Sequence, residues 1–113
     1  MRFKRGVKMN VLPPILPALW AAERVWTKHG RDEGVTVTSA NDGVHSYNSR
    51  HYVGLALDFR SRRYGWDEDK CEAVTRDLQR ILGNDYFCLN EYSKYHIHTE
   101  YRPHQATDFK VAA

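Results

Sequence analysis

The apolar positions of the first part of the chain keep a helical rhythm. Leu19, Ala22, Val25 and Trp26 recur at three- and four-residue intervals, the spacing that lines side chains along one face of an α-helix. Pro17 suits the first turn, where its missing N–H is no loss, and Gly30 suits the position just past the end. A helix is therefore predicted over residues 17–29. Val35-Thr-Val-Thr38 is β-branched throughout and reads as a strand, followed by the turn-forming run Ser39-Ala-Asn-Asp-Gly43. Gly54-Leu-Ala-Leu-Asp-Phe59 reads as a buried strand. From Asp67, a suitable N-cap, the positions Cys71, Val74, Leu78, Ile81 and Leu82 restore the helical interval, and Gly83 closes that second helix. Tyr86-Phe-Cys-Leu89 and Tyr95-His-Ile-His-Thr-Glu-Tyr101 are two further strands, and Pro103 ends the last. Strands grouped outside strict βαβ alternation predict an α+β fold: a small, largely antiparallel sheet packed by two main helices.

Residues 1–14 read as an extended lead-in to one domain spanning 15–113. The basic start followed by an apolar stretch imitates a secretory leader. Pro13, Pro14 and Pro17 interrupt the helix that such a leader needs, so the chain is read as unsignalled. Trp20, Trp26 and Trp66 are read as core or rim packing. At 113 residues, 42% hydrophobic and 27% charged, the composition suits a single packed domain rather than a disordered one. No apolar run is long enough to span a membrane.

The net charge of +3 comes partly from the basic start and partly from Arg60, Arg62 and Arg63. Neither group forms the long aromatic-interleaved stripe of a nucleic-acid binder. A solvated surface explains both, although Arg60, Arg62 and Arg63 are also suited to holding a substrate carboxylate. Cys71 and Cys88 fall in separate elements and read as buried free thiols, with one disulfide the alternative.

The six histidines are clustered. His45 and His51 flank a loop–strand junction, and His96 and His98 alternate along one strand, so the latter two face the same way. Two imidazoles in a core would each need hydrogen-bond partners; a metal or a cleft accounts for the pair more simply. Asp58 adds a carboxylate. A zinc site of the catalytic kind takes three protein ligands and leaves one position for water. His51, Asp58 and one of His96 and His98 meet that count, and the ion would turn water into a nucleophile and polarise a carbonyl. The competing reading is an Asp–His hydrogen-bond cluster without metal.

Ser49-Arg-His-Tyr-Val-Gly-Leu-Ala-Leu-Asp58 resembles the S-x-H-x-x-G-x-A-x-D signature of the zinc D-Ala-D-Ala carboxypeptidases and related cell-wall endopeptidases, and Tyr95-His-Ile-His98 resembles their H-x-H strand. The stretch from Asp42 to Asp58, with Ser93-Lys-Tyr-His-Ile-His98, is also similar to the hedgehog signalling domain, which shares that zinc-peptidase fold. The likeness covers residues 15–102 and implies a hedgehog/DD-peptidase fold. It implies His51, Asp58 and His98 as zinc ligands and His96 as a hydrogen-bond partner of the attacking water or the developing oxyanion. By the same likeness His45 lines the cleft and Ser49 contacts substrate.

Glu91 is the candidate general base, but it departs from the pattern. Hedgehog-type relatives carry Glu four residues before the first His, where this chain has Tyr92. A one-residue slip turns a strand side chain to the other face, so Glu91 needs a loop or bulge before Ser93 to reach the site. Only Asp42 stands where animal hedgehog domains carry a calcium-binding acidic cluster, and no calcium site is expected. The implied function is a monomeric zinc peptidase acting on peptide or peptidoglycan through a metal-activated water. It would be made in the cytoplasm and act on the cell wall as a lysin does, with no nucleic-acid or membrane partner. The alternative is a zinc-bearing binding module without catalysis.

Overall fold

A computed structural model describes residues 1–40, 54–62 and 65–103. Helices α1 (Pro17–Lys28) and α2 (Glu68–Leu82) pack against a five-stranded sheet, so the fold is α+β. The strands are β1 (Arg2–Phe3), β2 (Thr36–Ser39), β3 (Ala56–Arg60), β4 (Tyr86–Glu91) and β5 (His96–Tyr101), in the order β1-β2-β3-β5-β4. Every neighbouring pair is antiparallel except β1 with β2.

The expected cores of both helices hold, with two corrections. Leu19, Ala22, Val25 and Trp26 of α1 and Cys71, Val74 and Leu78 of α2 are buried. All but Cys71 meet Leu57 and Phe59 of β3 and Ile97 of β5 in one core, with Trp26 edge-on to Phe59 at 5.7 Å. Burying side chains of this size is the main stabilising term, roughly 1.5–3 kcal/mol each. Trp20, however, is 62% exposed and Ile81 50% exposed. Trp20 stands on the face of α1 opposite its buried stripe and Ile81 at the edge of that of α2, where helical periodicity turns a side chain to solvent. Trp66 packs on Trp26 at 5.9 Å, and Trp26 Nε1 donates to the Arg60 carbonyl at 2.9 Å, fixing the end of β3 against α1.

Helix ends follow the local chemistry. Asp67 caps α2, its Oδ1 accepting from the Lys70 N–H at 2.8 Å. The two cysteines are unpaired, Cys71 buried and Cys88 half-buried. The lead-in turns at residues 5–6 and enters a 3-10 turn over Pro13–Ile15, and its first residues join the sheet: Arg2 N donates to the Val35 carbonyl at 2.8 Å and Lys4 N to that of Val37 at 2.9 Å. The lead-in also reaches the approach to β3, where Leu12 N donates to the Gly54 carbonyl at 2.8 Å. Gly54 has φ +76°, and a Cβ there would sit 2.9 Å from the Asn10 carbonyl oxygen. Gly54→Ala is expected to lose about 2 kcal/mol or more in urea unfolding, since left-handed strain and a backbone clash act together.

The two helices are tied by a polar contact that periodicity does not reveal. His29 Nε2 lies 2.7 Å from Asp77 Oδ2, with Lys28 Nζ at 3.3 Å from the same carboxylate and Arg80 at 2.6 Å. The hydrogen bond from His29, then that from Arg80, holds the Asp77 carboxyl well below its ordinary value of 3.8. A depressed carboxyl contributes stability that is full above the unfolded-state value and is lost as pH falls below it. Asp77→Asn should cost about 1–2 kcal/mol at neutral pH. It should also flatten the loss of stability as pH falls through the carboxylate range, read by denaturant midpoints.

Candidate active site

The pairing of β5 with β3 on one side and β4 on the other assembles the polar cluster. Asp58 stands opposite His98 and Arg60 opposite His96 across the first pair; Leu89 stands opposite His98 and Glu91 opposite His96 across the second. Residues directly opposed in an antiparallel pair share a face. Asp58, Glu91, His96 and His98 therefore lie together on the face away from Leu57, Phe59 and Ile97. The expectation that His96 and His98 face one way is met.

Glu91 reaches this face. β4 continues to Glu91, two residues beyond the strand expected from the sequence, and a single 3-10 turn over Tyr92–Lys94 plus Tyr95 connects it to β5. Four connecting residues place Glu91 in register with His96, and Tyr95 completes the turn in the left-handed region at φ 67°. The one-residue departure in spacing is absorbed by that connection. The Glu91 Oε1 to His96 Nε2 distance is 2.7 Å, and Lys94 Nζ lies 3.6 Å from Glu91 Oε2.

The second imidazole is held on both sides. His98 Nδ1 is 3.0 Å from Asp58 Oδ1, and His98 Nε2 is 2.8 Å from Glu100 Oε1. Arg102 Nε donates to Glu100 Oε2 at 2.8 Å while its guanidinium stacks on Phe87 at 4.1 Å. Glu100 bonds to His98 two positions back along its own strand, with Arg102 as its ion-pair partner. Burial works against charge on His98, but the hydrogen bonds its ring donates to Asp58 and Glu100 outweigh it and raise its pKa to about 9. Arg102 and His98 together hold the Glu100 carboxyl below its ordinary value despite its burial.

The donor chemistry suits a divalent cation. Asp58, Glu91 and His96 each offer an atom within 4.8 Å of the others, and His96 Nε2 is 3.7 Å from Asp58 Oδ2. Asp58 is shared between this group and the Asp58–His98 pair. One imidazole nitrogen and two carboxylate oxygens could hold a metal ion, and this group shares only Asp58 with the set His51, Asp58 and His98 that the resemblance implies. Both ring nitrogens of His98 lie at hydrogen-bond distance from carboxylates, so without a metal the ring holds a proton on each; were Nδ1 to bind an ion, it would first lose its proton, with Glu100 supporting the far nitrogen. His45, Ser49 and His51 lie outside the described residues. The contribution of Arg102 was not anticipated, although the alternation His96, His98, Glu100, Arg102 already aligns all four.

Compared with protein-family models, curated proteins and solved structures, the chain matches none. No helix among the described residues is long and apolar enough to cross a membrane.

A raised imidazole pKa contributes stability that is complete below the unfolded-state value and is lost as pH rises through the folded one. Chelator-treated protein should therefore lose stability between the ordinary value of 6.5 and about 9. Glu100→Gln should shrink that loss and bring the His98 titration down, as followed by NMR of the ring protons.

Proposed function

We propose that this chain is a zinc-dependent peptidase of the type its motifs resemble, hydrolysing peptide bonds of bacterial cell-wall peptides. The observation that supports it most is the meeting of Asp58, His98, His96 and Glu91 on one sheet face, with Glu91 hydrogen-bonded to His96 at 2.7 Å. His51, Asp58 and His98 would hold the ion. When bound, the ion supplies Lewis acidity: it polarises a carbonyl and lowers the pKa of water.

The remaining work falls to the chain's own groups. Glu91 takes the proton from the attacking water and delivers it to the leaving amine. His96 donates to the oxyanion that develops on the carbonyl oxygen, a charge best met by a pre-positioned donor. Glu100 and Arg102 hold His98 in one orientation and one tautomer. The alternative, a zinc-bearing module without catalysis, draws on the displaced spacing of Glu91, and the Glu91–His96 pair at 2.7 Å supports the catalytic reading over it.

Zinc-loaded protein should release D-alanine from peptides ending in D-alanyl-D-alanine or cleave peptidoglycan fragments. Glu91→Gln should lower kcat about 10²–10⁴-fold while keeping the metal; Asp58→Asn should lose the metal as well. Intact substrates after incubation with the loaded wild-type protein, or full activity in Glu91→Gln, would overturn the proposal.

A further inference from the structure

Asp58 presents its two carboxylate oxygens to different imidazoles. Oδ1 lies 3.0 Å from His98 Nδ1, while Oδ2 lies 3.7 Å from His96 Nε2. Strand register explains the division. Asp58 stands directly opposite His98, and His96, two positions away along β5, is its diagonal neighbour across the pair. Glu91, brought opposite His96 by β4, closes the group on that side, with Oε1 2.7 Å from the same His96 Nε2.

Two donor sets therefore meet at one residue. Asp58 and His98 belong with His51 in the set that the resemblance implies. Asp58, Glu91 and His96 form the other, each offering a ligand atom within 4.8 Å of the others. A carboxylate has two oxygens with lone pairs on each, so Asp58 is able to serve both sets at once. The sets differ in depth and in charge. Asp58 is 6% exposed, whereas His96 is 18% and Glu91 24% exposed, and Lys94 Nζ stands 3.6 Å from Glu91 Oε2. A cation bound by the outer set meets the repulsion of that ammonium.

We infer that Asp58, Glu91 and His96 hold a second divalent ion, more weakly than the first is held, and that filling this outer set stops the hydrolysis proposed above. This rests on the peptidase reading and adds its regulation. A Glu91 oxygen engaged by a metal no longer takes the proton from the attacking water. A His96 nitrogen engaged by a metal has given up its N–H and no longer donates to the oxyanion. The metal that activates the protein at low concentration therefore silences it in excess.

Zinc itself is the probe. Metal-free protein dialysed against rising free zinc, with bound metal read by atomic absorption, should take up one equivalent and then, at about tenfold or more higher zinc, a second. Hydrolysis of a peptide ending in D-alanyl-D-alanine should rise with the first equivalent and fall with the second. Glu91→Gln should keep the first equivalent and lose the second. Lys94 is 65% exposed, so its replacement spares the fold. Lys94→Gln should tighten the second equivalent about three- to tenfold and leave the first where it was. A single equivalent at saturation would overturn the inference, as would a second equivalent that neither variant alters, which is the mark of adventitious surface zinc. Two equivalents responding to both variants in a protein that cleaves no peptide would sink the peptidase reading alone. Hydrolysis undiminished by excess zinc would sink this inference alone.

Discussion

The strand register around β5 governs both the core and the polar cluster. β5 alternates strictly: Ile97 and Thr99 are fully buried, Ile97 among the residues that α1 and α2 cover, while His96, His98 and Glu100 fill the opposite face. A shift of one residue would drive two imidazoles and a carboxylate into an apolar layer, at a cost of several kcal/mol for each unpaired group. The hydrophobic side of the strand therefore fixes where the chemistry on the other side stands. Asp58 is carried by β3 on the same terms, between the buried Leu57 and Phe59.

What the cluster gains from this placement is electrostatic. Asp58, Glu91 and Glu100 converge on two imidazoles, and each contact is made at hydrogen-bond distance or close to it. In a half-buried setting such groups are expensive unless matched by positive charge. The matching comes from Arg102 at one end, Lys94 at the other and the proton on His98 between them. A site that holds a proton this firmly presents the negative potential that a divalent cation also seeks.

Much of this was legible in the residues. The helical intervals of Leu19 to Trp26 and of Cys71 to Leu78, the Asp67 cap and the shared face of His96 and His98 follow from elementary periodicity, and each holds. Glu91 was not legible, because the face of a residue near a strand end depends on how the following turn spends its residues. Here a 3-10 turn and one left-handed tyrosine decide it. The support of Glu100 on His98 is consistent with their alternation along β5, but the alternation alone does not say which partner Glu100 takes. Trp20 was misplaced because its size alone suggested packing, and Ile81 because the helical interval continues to the edge of the buried stripe, near the end of α2. The pairing of Arg2 and Phe3 with β2 depends on long-range contact, and two residues carry too little pattern to announce it. The histidine and serine of the motif's first half lie outside the described residues.

The cluster also has a gradient: side-chain exposure rises from 6% at Asp58 and 9% at Glu100, through 15% at His98 and 18% at His96, to 24% at Glu91. Tolerance to change should follow the same slope. Substitutions at the deep end disturb folding together with chemistry, so drift there is confined. At the open end, a change at Glu91 would remove the proposed proton transfer while the scaffold stands, so chemistry can be lost there without loss of the fold.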